Sequence, residues 1–223
     1  MTVTETLRAV PLFAHLADDE LRHVAAAVRE RSYPKQSIIV FEDDPGDALY
    51  VVVAGQVKVV LIGDDGREVI LSVLGAGDFF GEMALIDDQP RSAHVIAMED
   101  ARLLVLRRED FQRALEETPR IALGLLRALS GRLRRADDKI GALVLLDVLG
   151  RVARVLLELA DEEREGGIIR RLTHHTIAQM IGSTRETVSR TMRELAERGL
   201  IEVSREGIRI ADRTALRAVA RLT

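Results

Sequence analysis

Ile177-Ala178-Gln179-Met180-Ile181-Gly182-Ser183-Thr184-Arg185-Glu186-Thr187-Val188-Ser189-Arg190 is the stretch on which the reading of this chain turns. The apolar residues Ile177, Ile181, Val188, Met192 and Leu195 keep helical spacing on both sides of Ile181-Gly182-Ser183. Two helices are therefore predicted, over Thr173–Met180 and Thr184–Arg198, joined by a tight glycine turn. Beyond Gly199, the runs Ile201–Val203 and Ile208–Ile210 flank Arg205-Glu206-Gly207 and spell a β-hairpin. Two helices on a short turn followed by a hairpin make a winged helix-turn-helix.

If Thr184 opens the second helix, Arg185, Glu186 and Arg190 fall in its first two turns, the end that enters a major groove. Arginine reaches guanine O6 and N7 with two parallel bonds, and glutamate accepts from cytosine N4, so the trio can read base edges. The hydroxyls of Thr184 and Thr187 are placed to grip phosphates, and Thr173 and His175 begin the preceding helix, where phosphate is a better partner than metal. The alternative is a solvated helix face with Arg–Glu pairs. Charge favours the first reading. Residues 170–223 hold 11 Arg, no Lys and 6 acids, a balance of +5, while the rest of the chain carries −9 of the overall −4. One basic end on an acidic body suits a chain that meets a polyanion at that end, here double-stranded DNA.

Upstream, Asp147 caps a helical run over Val148–Leu159 and is a candidate hinge, and a Gly166-Gly167 break follows that run. Before the hinge, Ala122, Leu126, Leu129, Leu133, Ala136, Ile140 and Leu143 are spaced 4, 3, 4, 3, 4, 3 within a helix predicted from Ile121 to Leu146. That is the period of a coiled-coil seam, which implies a parallel homodimer. The competing reading is one amphipathic helix buried on its own domain. A second apolar set, Ile121, Leu125, Val144 and Leu145, is expected to pack back on the preceding domain.

From Ile38 to Leu106 the pattern changes to short Val-, Ile- and Leu-rich runs: Ile38–Phe41, Ala48–Val53, Gln56–Ile62, Glu68–Leu74, His94–Ala97 and Leu103–Leu106. Turns at Asp44–Asp47, Gly63–Gly66, Gly75–Asp78 and Asp87–Pro90 separate them. Many short strands at near-regular spacing predict a small β jelly roll. Val10-Pro11-Leu12-Phe13 and Asp19–Arg29, the latter capped by Asp18, are read as short helices ahead of it. The fold class is α+β, with a jelly-roll domain over 1–120, a dimerisation helix over 121–146 and the winged domain over 147–223.

With 47% apolar and 30% charged residues in 223, the chain has enough material for real cores. It shows no membrane-spanning run and no signal peptide, so it is expected in the cytoplasm. Having no cysteine, it can form no disulfide, thiolate zinc site or cysteine-ligated cluster. The five histidines form no metal-ligand pattern, and no nucleophile pairs with a base. Neither an enzyme nor a metalloprotein is expected.

The segments Ile177–Gln179 and Gly182–Arg190, with Gly81-Glu82-Met83-Ala84-Leu85-Ile86 and Arg91-Ser92-Ala93, closely resemble the CRP/FNR family of bacterial transcription regulators, in its cyclic-AMP-receptor branch. The likeness runs from the turn at Gly46 to the hairpin at Ile210. It implies that Gly75–Leu85 and Arg91–Ala93 form a phosphate-binding cassette. Arg91 would pair with the cyclic phosphodiester, Ser92 and the backbone of Glu82, Met83 and Ala84 would donate to its oxygens, and Glu82 would accept the ribose 2′-hydroxyl. Gly81 belongs to the cassette, and Val59 and Leu71 would be apolar walls. In the resemblance the base meets the long helix where relatives carry Thr and Ser. Here those positions are Ala136 and Asp137, which removes one hydroxyl partner for adenine and adds an acceptor that also suits guanine N1 and N2. Cyclic AMP is the first expectation as effector, with cyclic GMP or cyclic di-GMP second and a ligand-free pocket third. Relatives with this recognition helix read TGTGA-like half-sites, and RNA polymerase is a candidate protein partner. A regulatory subunit acting on a protein partner is the rival from another class.

Overall fold

The computed structural model describes residues 2–162, 168–169 and 172–221. The Gly166-Gly167 break lies outside the described residues. The chain divides into two compact units, Met1–Leu133 and Arg134–Thr223, with the division inside one long helix.

The first unit is built on two four-stranded antiparallel sheets. One has β1 (Arg29–Tyr33), β8 (Ala101–Arg107), β3 (Ala48–Ala54) and β6 (Phe79–Phe80) in that order; the other has β2 (Ile38–Val40), β7 (His94–Ala97), β4 (Val57–Ile62) and β5 (Glu68–Leu74). Each expected strand is present, Glu68–Leu74 and His94–Ala97 with the expected ends and the other four with ends shifted by a residue or two. Two were not anticipated. β6 is only two residues long, and β1, Arg-Glu-Arg-Ser-Tyr, has no apolar alternation because its residues are largely exposed at the sheet edge. Val52, Val57, Leu103 and Val105 fill the space between the sheets, with the Tyr50 and Phe80 rings stacked at 4.9 Å.

A second core lies on the outer face of the first sheet. Leu49, Val51, Leu104 and Leu106, which alternate with the interior set as a strand requires, meet α1 (Val3–Ala9), α2 (Asp18–Ala27), α4 (Arg108–Glu117) and the start of α5 (Pro119–Leu145). Val10-Pro11-Leu12-Phe13 is not helical; it makes turns whose Val10, Leu12 and Phe13 are buried, and the helix lies before it, capped by Thr2. α2 begins at Asp18, one residue early, with Glu20 accepting from the Ala17 backbone N–H at 2.7 Å, and ends at Ala27 because Arg29 already belongs to β1.

The second unit packs α6 (Val148–Glu162), α7 (His174–Ile181), α8 (Arg185–Glu197) and α9 (Arg213–Val219) with a three-stranded sheet ordered β10 (Ile201–Val203), β11 (Ile208–Ile210), β9 (Ile168–Ile169). Val152, Leu156, Ile177, Val188, Leu195 and Leu216 form its core. Asp147 caps α6 as its sequence suggested, Oδ1 accepting from Gly150 N at 2.8 Å. β9 and α9 were not foreseen.

Along α5 the second apolar set splits. Ile121 and Leu125 are buried, whereas Val144 and Leu145 are 75% and 67% exposed and do not pack as expected, because the last turn of α5 turns that face outward. The heptad positions Leu126, Leu133, Ile140 and Leu143 are exposed in the single chain as well, at 50–64%.

Candidate nucleotide pocket and nucleic-acid interface

The pocket is assembled where β6 runs into α3 (Met83–Ile86) and Arg91 returns across it. Gly81 has φ +87°, and a Cβ there would lie 2.4 Å from Arg91 Nη1 and 2.9 Å from the Ala48 carbonyl oxygen, so only glycine lets the guanidinium in. Arg91 is 5% exposed. Its Nη1 donates to Gly81 O at 2.7 Å and its Nη2 to Ala48 O at 2.8 Å. The nearest carboxylate, Asp47, stands at 3.4 Å on a side chain that is 82% exposed. A buried cation held by two carbonyls and by one long contact to a solvated acid keeps room for a further anion. Beneath it lies Tyr50, 5.8 Å from the guanidinium carbon, its phenol pushed above the ordinary value by burial and then by Asp47, so the ring is uncharged.

Glu82 is more buried still, at 1% exposure. One oxygen accepts from Arg132 Nη1, while Oε2 has no hydrogen-bond partner among the described residues. Arg132 also donates to Phe79 O and rests 4.7 Å from the Phe79 ring centroid. The sequence reading missed Arg132. It sits among Arg127, Arg134 and Arg135 on one helix, and its partner lies fifty positions away, so no local signal distinguishes it.

The remaining cassette positions are placed as follows. Ala84 is buried under the turn at Gly46, and Met83 and Ser92 are exposed beside it. Val59 is half-buried on β4 and Leu71 is 40% exposed on β5. Ala136 and Asp137 are exposed on α5 and belong to the second unit. Among the described residues no group of three His, Asp or Glu side chains could hold a metal ion.

In the second unit, Thr173 caps α7, its hydroxyl accepting from Thr176 N at 3.0 Å, and Gly182 ends that helix at φ +62°. Thr184 then caps α8 by accepting from Thr187 N at 3.2 Å and also meets the Thr187 hydroxyl at 2.9 Å. His174 Nδ1 and Ser189 Oγ, 2.8 Å apart, tie the two helices together, a contact the sequence did not suggest; His175 points to solvent. Val188, Met192 and Leu195 are buried, which turns Arg185, Glu186 and Arg190 outward. Their side chains make no hydrogen bond or ion pair with any described residue, so the Arg–Glu pairing of a merely solvated face is not formed.

Comparison with known proteins places both halves. Residues 30–118 match the cyclic nucleotide-binding domain family and residues 150–219 the Crp-like helix-turn-helix domain family. The chain is 36% identical over 215 residues to the cyclic AMP receptor protein of Thermus thermophilus, covering 96% of this chain and 98% of that one. The chain belongs to the CRP/FNR family of transcription regulators. This CRP/FNR regulator is also 32% identical over 222 residues to a CRP-like cAMP-activated global transcriptional regulator of Mycobacterium tuberculosis, covering 97% and 99% of the two chains. Among solved structures it resembles FixK2 of Bradyrhizobium japonicum, with a TM-score of 0.79 at 27% identity over 88% of this chain and 98% of that one. The c-di-GMP-responsive regulator CLP of Xanthomonas campestris gives a TM-score of 0.77 at 26% identity, over 88% and 100%. The CRP/FNR regulator described here thus has a cyclic nucleotide-binding domain and a DNA-binding helix-turn-helix in one chain.

Proposed function

We propose that the chain is a cytoplasmic, homodimeric transcription regulator controlled by cyclic AMP, which binds a palindrome of TGTGA-like half-sites and has no catalytic activity of its own. The observation that carries the effector is the presence in one cassette of Arg91, a buried cation whose one carboxylate partner, Asp47, lies at 3.4 Å on a largely exposed side chain, and of Glu82 Oε2, a buried acceptor without a donor among the described residues. A cyclic nucleotide supplies both complements at once, a phosphodiester anion and a ribose hydroxyl. Arg91 and the backbone of Glu82, Met83 and Ala84, with Ser92 beside them, hold the phosphate; Glu82, steadied by Arg132, orients the sugar; Val59 and Leu71 shield the base. Ala136 and Asp137 face the base and set selectivity, and Asp147 is the hinge about which ligand binding shifts a two-state equilibrium. Arg185, Glu186 and Arg190 read bases while Thr173, His175, Thr184 and Thr187 meet phosphates.

A second reading has cyclic GMP or cyclic di-GMP as the effector. Asp137 favours it, since a carboxylate complements both guanine N1–H and N2–H, and CLP is a structural neighbour that responds to c-di-GMP. Calorimetric titration of the full-length protein with cyclic AMP, cyclic GMP and cyclic di-GMP decides between them. Tightest binding of cyclic AMP supports the proposal, and no heat from any of the three sinks it.

A further inference from the structure

His174 and Ser189 are neither base readers nor phosphate contacts in the reading of the DNA site, yet they are joined across the helix-turn-helix, Nδ1 to Oγ at 2.8 Å. His174 is the first residue of α7, fixed there by the Thr173 cap, and is partly buried. Either partner can donate, the ring N–H to the hydroxyl or the hydroxyl to the bare ring nitrogen, so both neutral tautomers form the bond.

The place of Ser189 on α8 gives that bond its consequence. Successive residues of a helix are turned by about 100°. Val188, Thr191, Met192 and Leu195 mark the buried face of α8, and Glu186 and Arg190 lie on the far side, so Ser189 stands on the border between them. Arg185 and Glu186, four and three residues before it, are its neighbours on the helix surface, and Arg190 follows it directly. Ile177, Ile181, Val188 and Met192 share one core that holds α7 to α8, but apolar burial is non-directional and leaves a small roll of α8 about its axis cheap. A hydrogen bond weakens steeply once its angle is lost, so a bond at the border resists that roll. The roll matters at the side-chain tips. A group about 6 Å from the axis shifts by about 1 Å when the helix turns by about 10°. Two parallel bonds from one arginine to guanine depend on alignment at that scale.

We infer that His174 is a positioning residue for base reading: through Ser189 it sets the roll of α8 and so aligns Arg185, Glu186 and Arg190 with base edges, without itself meeting DNA. The inference rests on the reading of α8 as the helix that enters the major groove. Loss of the bond leaves the affinity supplied by phosphate contacts in place and lowers the preference for the cognate sequence.

The test is a double-mutant cycle on the full-length protein, with and without cyclic AMP. Fluorescence anisotropy measures binding to two duplexes, one selected from a random pool by the wild type and one scrambled. His174→Ala and Ser189→Ala are each expected to reduce the preference for the selected duplex roughly two- to tenfold, the effect of one hydrogen bond, with the scrambled duplex bound as by wild type. The double variant is expected to lose no more than the larger single loss, because both changes remove the same bond. His174→Asn, whose amide stands where Nδ1 does, is expected to restore most of the preference, and His174→Gln, whose amide stands nearer to Nε2, is not. Additive losses overturn the inference, as do equal losses on both duplexes, which a direct phosphate contact would give, or an unchanged preference in both alanine variants. Should His174→Ala lose its melting transition, Ser189→Ala carries the measurement, since alanine favours the helix. Arg185→Ala is measured alongside. If it too keeps the wild-type preference, α8 is not the reading helix and the inference falls with that reading; if it loses preference while Ser189→Ala does not, only the role of His174 falls.

Discussion

Arg91 and Glu82 owe their chemistry to burial. A guanidinium at 5% exposure meets an anion with little water to screen it, and a charge-assisted pair of this kind contributes about 1.5–3 kcal/mol. Arg91→Ala is therefore expected to weaken cyclic nucleotide binding at least tenfold by calorimetry while the melting curve keeps its cooperativity. Arg132→Ala acts differently, because it strands the Glu82 carboxylate in the interior. Breaking a fully buried pair costs about 3–5 kcal/mol, and Arg132 is 30% exposed, so a loss nearer ~2 kcal/mol is expected. Adding Glu82→Gln should restore part of the melting temperature; no recovery would show that the pair is not what stabilises this turn. At the other end, Glu186→Ala should relax preference at one base pair by roughly 1–3 kcal/mol in a selection on random duplexes. An unchanged preference would remove Glu186 from base reading.

At the scale of helices, α5 is the decisive element. Its inner apolar residues are satisfied by Ile121 and Leu125, yet Leu126, Leu133, Ile140 and Leu143 keep a heptad row facing water. An exposed row of this kind is the feature expected of an unpaired coiled-coil seam. Leu133→Lys or Ile140→Lys should then give monomers in light scattering, since each lysine would face its own copy across a dry interface. A persistent dimer would move the interface elsewhere. The recognition helix depends on its first residue instead. Thr184 satisfies one orphan N–H of α8, so Thr184→Ala should cost about 0.5–2 kcal/mol of stability by thermal or chemical denaturation.

For the molecule as a whole, the segregation of charge governs behaviour. The basic end at 170–223 sits on a body of opposite sign, so DNA affinity should fall steeply with salt on a log–log plot, as counterion release requires. Replacing Arg185 should bring affinity for the selected site toward the non-specific level, with the shallow remainder set by phosphate contacts. Recovered sites should be palindromes with half-sites about one helical turn apart. A salt-independent complex or single half-sites would contradict a dimer that docks through this end.

Much of this was legible because it is local. The glycine turn at Gly182, the cap at Asp147, the heptads of α5 and the alternating strands β3, β4 and β8 each follow from backbone sterics and periodicity within a few residues, whereas Thr173 and Thr184, read as first residues of their helices, cap them instead. Gly81, Glu82 and Arg91 stood out by their motif. The tertiary structure alone decided what depends on distant partners. It buried Arg91 under Ala48 and Gly81, joined Arg132 to Glu82 and left Oε2 without a partner among the described residues, and set His174 against Ser189. β1 was illegible because an edge strand with exposed, charged residues has no hydrophobic period; it forms because β8 offers hydrogen bonds along its length. Val144 and Leu145 mislead for the converse reason. An apolar pattern says that a face will be covered, and only the folded chain shows whether its own domain covers it.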